Sequence, residues 1–184
     1  MNNSVDIGLP NKMNIQHHNN YMQIDRKWFG LNIAFMSVFA IIWNGFIFNI
    51  YSGMEPDAEL SQKLLPLPFV AIGIGITYYA IAGWFNKTSI FVSRDAVEIQ
   101  HKPIPWIGNK RLLVNNIKQL YTKEKISQNQ NGTSVTYEVH VIVFNGKIIK
   151  LVSGLESSEQ ALFIEQEIEK YLKIENQPVR GEVG

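Results

Sequence analysis

Hydrophobic and polar positions change their pattern several times along this chain. From Trp28 to Met54, and again from Leu64 to Asn86, no Asp, Glu, Lys or Arg occurs. Apolar side chains fill every face of both stretches, as expected of helices surrounded by apolar material on all sides. A helix rises about 1.5 Å per residue and the hydrocarbon core of a bilayer is about 30 Å thick, so roughly 20 such residues suffice to cross it. Two spans are expected, Trp28–Tyr51 and Leu64–Phe85, joined through residues 52–63 into an antiparallel hairpin. Trp28, Tyr51 and Trp84 fall at span ends, where aromatic rings suit the headgroup layers. Pro66 and Pro68 lie near the start of the second span, where first-turn amides have no helical partner to lose. The long polar segment ahead of the first span does not fit a secretory signal.

After Lys87 the period becomes two. Ile90 and Val92 alternate with Phe91, and Val97 and Ile99 with Glu98 and Gln100, across a Ser93-Arg94-Asp95 turn. The run His101–Asn109, with Pro103, Pro105 and Gly108, interrupts pairing. Strand patterns resume at 110–114, 117–126, 135–144 and 148–151, with Asn131-Gly132 and Asn145-Gly146 as hairpin dipeptides. From Ser157 the pattern turns helical. Ser157 and Gln160 make a capping box, Ala161, Ile164, Ile168, Tyr171 and Leu172 form one stripe, and Glu165, Glu167 and Glu169 are expected on the wet side. The expected fold class is α+β: a two-helix transmembrane hairpin followed, over 86–174, by an antiparallel β barrel or sandwich capped by a C-terminal helix at 157–174. Residues 1–27, with six Asn by position 20 and few apolar side chains, are expected to be a disordered tail, and 175–184 a second tail.

This order of elements, from Trp28 to Ile174, resembles a family of bacterial membrane proteins that join a two-helix hairpin to a cytoplasmic pleckstrin-homology-like domain. The segments that carry the likeness are Asn86-Lys-Thr-Ser-Ile90, Pro103-Ile-Pro-Trp-Ile-Gly-Asn109, Ile117-Lys-Gln-Leu-Tyr121 and, after Gly154-Leu155, Ala161-Leu-Phe-Ile-Glu-Gln-Glu-Ile-Glu169. The resemblance implies a fold and a location, not a reaction. The chain is also similar, more loosely, to the thylakoid hairpin proteins that assist photosystem I assembly, through its two spans, Pro105-Trp-Ile-Gly-Asn-Lys-Arg111, the strands and the acidic terminal helix.

Charge adds orientation. Lys12, Arg26 and Lys27 precede the first span and Lys87, Arg94 and Lys102 follow the second, whereas the connecting loop holds Lys63 against Glu55, Asp57 and Glu59. By the positive-inside rule both termini are cytoplasmic and the protein is integral to the inner, or plasma, membrane. Asn32, Ser37, Asn44, Asn49 and Thr77 are polar but not ionisable, so they suit packing between helices better than a transport path. Ala71, Gly73 and Gly75 are expected to form the small packing face of the hairpin, with homo-oligomerisation through Ala71 and Gly75 left open.

A search for chemistry yields little. The chain has no Cys, which removes disulfides, thiolate metal sites and thiol nucleophiles, and its net charge of +1 excludes a bulk nucleic-acid binder. His17-His18 is a poor metal site without a third ligand, and His140 reads as a surface or edge residue of a strand. No Gly-rich phosphate loop, catalytic triad or paired-acid motif is recognisable, so no catalytic, cofactor-binding or metal residue is assigned and no enzyme is expected. Residues 86–125 carry eight Lys and Arg against three Asp and Glu, and 126–184 carry five against eight. Lys102, Lys110, Arg111, Lys118, Lys123 and Lys125 are therefore the candidate contacts for anionic lipid or a partner. The leading expectation is a non-enzymatic tether that holds an interaction domain at the cytoplasmic face, scaffolding a membrane protein complex. An oligomeric channel or transport accessory and an anionic-lipid-sensing module are the alternatives.

Overall fold

Met22 and Ile24 alternate with Gln23 and Asp25, and this short period-two pattern is completed by a strand that lies beyond both apolar stretches. A computed structural model describes residues 7–129 and 132–183. Its elements are β1 (Met13–His17), β2 (Tyr21–Lys27), α1 (Leu31–Ser52), α2 (Leu60–Leu64), α3 (Leu67–Phe85), β3 (Lys87–Ser93), β4 (Ala96–Lys102), β5 (Lys110–Leu113), a 3-10 turn (Val114–Asn116), β6 (Ile117–Asn129), β7 (Gly132–Val143), β8 (Ile148–Leu155) and α4 (Ser158–Leu172). The fold class is α+β with two long apolar helices. The described residues outside Trp28–Asn86 form a β unit and Trp28–Asn86 forms a helical unit.

The β unit holds two antiparallel sheets, ordered β1-β2-β3-β4-β5 and β6-β7-β8. They are separate sheets, so the barrel alternative fails and a layered arrangement stands. The tail expected over 1–27 also fails for its described part. Met22 and Ile24 are wholly buried and Met13 is nearly so, all three within the hydrophobic core. Composition misled here because β2 is stabilised by its full-length pairing with β3, a partner more than sixty residues away that no local window contains. Residues 1–6 lie outside the described residues. The helical hairpin is thus an insertion between two paired strands, rather than a segment preceding the domain.

Core residues follow from strand alternation: Ile24, Ile90, Val92, Val97 and Ile99 point inward from one sheet, and Leu120, Val139, Val141 and Leu151 from the other. Ala161, Ile164 and Ile168 on α4, all fully buried, close this core. Ser157 Oγ accepts the Gln160 amide at 3.3 Å, while Gln160 Oε1 reaches back to the Glu156 amide at 3.1 Å. The capping box therefore forms one residue out of register, and the freed Gln160 Nε2 donates to the Asn11 carbonyl at 3.0 Å. Arg26 Nη2 donates to the Gly154 carbonyl at 2.7 Å, and Lys12 Nζ pairs with Glu156 at 2.7 Å. Three polar contacts so fasten the N-terminal strands to the β8–α4 junction. The Asn145-Gly146 turn forms between β7 and β8, with Gly146 at φ +81°; Asn131 of the other expected dipeptide lies outside the described residues.

In the helical unit, α1 and α3 are long and apolar enough to cross a bilayer. Much of their apolar surface is uncovered: Leu31, Phe35, Ile41 and Phe48 are each more than 70% exposed. Their mutual contact is built on small residues and hydrogen bonds. A Cβ at Gly83 would fall 2.5 Å from Ile33 Cδ1, and one at Gly73 would fall 3.0 Å from Asn44 Oδ1. Asn44 Nδ2 donates to Thr77 Oγ1 at 2.9 Å, Trp84 Nε1 to Ser37 Oγ at 2.8 Å and Trp43 Nε1 to the Phe69 carbonyl at 3.0 Å. Gly73 is buried against α1, whereas Ala71 and Gly75 are exposed. The expected single face does not exist, because residues two apart on a helix point about 200° apart. The expected 52–63 loop contains the short α2 at its end.

Two predictions separate the units. Ile24→Ala should destabilise the β unit by about 2–5 kcal/mol in chemical denaturation, a cost that a disordered tail would not incur. Gly83→Leu should weaken α1–α3 packing by about 1–3 kcal/mol, read as a lower melting temperature of the purified protein in detergent, while Gly75→Leu leaves it unchanged.

Candidate functional site

Of the six basic residues singled out by charge, Lys102 and Lys110 approach one end of the five-stranded sheet, Lys102 as the last residue of β4 and Lys110 as the first of β5. Lys102 Nζ lies 4.8 Å from the centroid of the Phe91 ring and 3.5 Å from Gln100 Oε1. Arg111 is taken up by Glu98 at 3.1 Å. Lys125 belongs to a cluster on the other sheet, and Lys118 and Lys123 are exposed on β6, where they make no ion pair among the described residues. The structure therefore does not gather the six into one patch.

At the Lys102 end, register aligns a different set. Lys27 on β2 faces Lys87 on β3, and Lys87 faces Lys102 on β4. Directly opposed residues share a face, so three lysines stand side by side across neighbouring strands. Lys87 Nζ pairs with Asp25 at 2.7 Å. Burial alone would raise the Asp25 carboxyl, but its hydrogen bonds from Lys87, Ser89 and Gln23 and the Lys87 charge hold it below the usual carboxylate range. The loop beyond Lys102 is pinned by Asn109 Oδ1, which accepts the His101 amide at 2.8 Å. Gly108, at φ +120°, passes so close to His101 that a Cβ would lie 3.0 Å from Nε2. Ile107 at the loop's tip is 94% exposed. Strand register is what sequence reading lacked: Lys27 and Lys87 were visible as span flanks, but not as neighbours of Lys102.

On the three-stranded sheet, Glu138 is nearly buried and receives His140 Nε2 at 2.9 Å, Lys150 Nζ at 3.3 Å and Lys125 Nζ at 3.7 Å. Burial pushes its carboxyl up, and the hydrogen bonds from His140 and Lys150 with the Lys150 charge bring it below the ordinary value. His140 is half-buried on the central strand β7, not at an edge, beside the Tyr121 ring. Lys110 Nζ donates to the Lys150 carbonyl at 2.6 Å, linking the two sheets, and burial together with Lys150 lowers its ammonium pKa. Both Glu138 oxygens are engaged, so the cluster works as a strut. Among the described residues no group of three or more His, Asp or Glu side chains is arranged to hold a metal ion.

The acidic face of α4 is the largest departure from expectation. Glu165 and Glu169, expected in water, are 1% and 5% exposed. The segment after α4 returns along β6 and covers them: Val183 N–H donates to the Thr122 carbonyl at 3.0 Å, and Gln119 Nε2 donates to the Gln177 carbonyl. The described part of the expected 175–184 tail is thus packed. Burial pushes Glu165 up to about 7, opposed by hydrogen bonding to Thr122 and reinforced by Glu182; burial and the Glu165 charge push Glu169 up to about 8. In the helical unit, a cavity of about 500 Å³ at the turn of the hairpin is lined mainly by apolar groups, including Ile50, Met54, Leu65 and Phe69.

No protein-family model matches the chain, and no curated protein matches it.

The buried acids predict a pH dependence. Their folded-state pKa values exceed the unfolded ones, so the stability they allow is fully present below about pH 4.5 and is lost as pH rises through 7 to 8. The melting temperature should fall between pH 5.5 and 8.5, and Glu165→Gln with Glu169→Gln should flatten that fall and raise stability at the alkaline end.

Proposed function

We propose that this protein is an integral membrane protein whose helical insertion holds a pleckstrin-homology-like β domain against the cytoplasmic face of the inner membrane. There the domain acts as a non-enzymatic docking module for a membrane protein complex. The observation that carries this reading is the insertion itself. An apolar hairpin long enough to cross a bilayer twice starts and finishes at paired residues, Lys27 and Lys87. A chain that must return to its own strand partner crosses an even number of times, so both sequence parts of the β domain share one side of the bilayer. The basic flanks support the cytoplasm as that side.

Seven strands, β2 to β8, followed by a terminal helix support the pleckstrin-homology-like reading, with β1 as an additional edge strand. Edge strands offer unpaired backbone groups to an extended peptide, and membrane tethering raises the local concentration of membrane-borne partners.

Alkaline extraction of native membranes should leave the protein in the membrane fraction. On intact cells an impermeant thiol reagent should modify Glu55→Cys and spare Arg94→Cys. Release by alkali, or modification of both positions, would overturn the tether. Purification of a tagged copy in mild detergent should return a reproducible membrane-protein companion, and its absence would overturn the scaffold role.

A further inference from the structure

We propose that the cavity at the turn of the hairpin is a binding site for an amphiphile made of one alkyl chain and a primary ammonium head. The site lies wholly within the helical unit, and only the delivery of such a group by a bilayer lipid rests on the membrane reading above.

Size and walls define the chain. The volume of about 500 Å³ falls among sites that take small organic molecules, roughly 300–1,000 Å³. Ile50 and Met54 line it from the end of α1 and the turn, and Leu65 and Phe69 from the end of α2 and the start of α3. Aliphatic walls with one flexible thioether adapt to a methylene chain, which presents no polar atom of its own. Hydrogen bonds fix these walls. Trp43 Nε1 donates to the Phe69 carbonyl at 3.0 Å, the Tyr51 hydroxyl to the Lys63 carbonyl at 3.2 Å and Lys63 Nζ to the Pro56 carbonyl at 3.0 Å. They tie α2 and the start of α3 to α1 and to the turn.

Polar groups define the head. Glu55 is the one ionisable residue of the lining. Lys63, the only Lys or Arg between Trp28 and Asn86, is turned to the Pro56 carbonyl, and Glu55 makes no ion pair among the described residues. Its carboxylate is therefore available to a cation, and the same charge opposes a carboxylate or phosphate head. Gln62 adds a second acceptor. Four positions on stands Pro66, which has no N–H, so the Gln62 carbonyl loses its helical donor. Glu55 and Gln62 are both exposed, which puts the head at the mouth and the chain inside. A primary ammonium brings three N–H donors to such acceptors. A quaternary ammonium brings none and is recognised by aromatic faces, of which this cavity offers Phe69 alone.

Tritiated dodecylamine, cationic at neutral pH, is titrated by equilibrium dialysis onto the full-length protein in mild non-ionic detergent. It should show a single saturable class of sites. Dodecyltrimethylammonium and dodecanoate should compete about tenfold less well than unlabelled dodecylamine, and Glu55→Gln should weaken dodecylamine about tenfold, as loss of a charge-assisted hydrogen bond requires. Asp57→Asn, on the same loop but outside the lining, should bind as the unaltered protein does. Leu65→Trp, which fills the cavity, should abolish saturable binding; Glu55→Gln keeps the shape of the turn, so it decides even where Leu65→Trp fails to fold. Displacement of the label by phosphatidylethanolamine, with no effect of phosphatidylcholine, assigns the site to a bilayer lipid. Displacement by neither assigns it to a free amine, and the proposal stands in both cases. Equal competition by the quaternary amine, unaltered binding in Glu55→Gln, or saturable binding that survives Leu65→Trp overturns it. Those three outcomes leave the hairpin reading standing, since alkaline extraction tests that reading separately.

Discussion

The pairing of β2 with β3 is the constraint on which the rest of the molecule depends. It runs without a slip from Tyr21 opposite Ser93 to Lys27 opposite Lys87, although the whole helical unit separates the two strands in sequence. Closing a flexible loop of that length would cost on the order of 3–4 kcal/mol beyond a constant. The helical unit offsets much of this by folding back on itself, since α1 packs on α3 and the Trp28 amide donates to the Asn86 carbonyl at 3.2 Å. The insertion therefore delivers its two ends already close together, as a short turn would. Hydrogen bonds such as Asn44–Thr77 and Trp84–Ser37 thus bear on the register of strands that contain neither residue.

The same economy governs the β unit, where polar groups do what a larger apolar core would do elsewhere. Arg26 is largely withdrawn from water and is held by the Gly154 carbonyl, with Glu156 at 3.9 Å. Lys110 crosses from one sheet to a carbonyl of the other. Each such contact contributes little net free energy, but leaving its buried partner unmade would be costly, so the contacts act chiefly by excluding other arrangements. Glu165 and Glu169 are the exception. Their burial beneath the returning C-terminal segment favours the protonated carboxyls, which makes the stability of that packing depend on pH.

Legibility in the sequence divides along the same line between local and distant causes. α1, α3 and α4, and strands β3 to β8, declare themselves by charge-free runs, by the Ile90–Val92 and Val97–Ile99 alternations, and by Ser157 with Gln160, because the interactions that define them lie within a few residues. β2 carried the same alternation in Met22 and Ile24, but the surrounding Asn-rich composition outweighed it, and only a distant partner makes it a strand. Glu165 and Glu169 follow the spacing of an outer helix face, and nothing near them indicates that residues beyond 175 will cover that face. The lysine row was half legible. Lys27, Lys87 and Lys102 stood out as flanks of the apolar runs, while their adjacency exists only through antiparallel register.

Insertion also sets how the β domain can work. A domain hung from one flexible linker explores a volume that grows with linker length, whereas this one is joined twice, by Trp28–Gly30 on one side and by Asn86 alone on the other. An extended residue spans at most about 3.5 Å, so the longer connection reaches only about 10 Å. The docking role proposed above would, with two short connections, give a high effective concentration for partners at the same surface and almost none for partners beyond its reach. Under that proposal partners would be selected first by where they are, before any side chain of the domain has touched them.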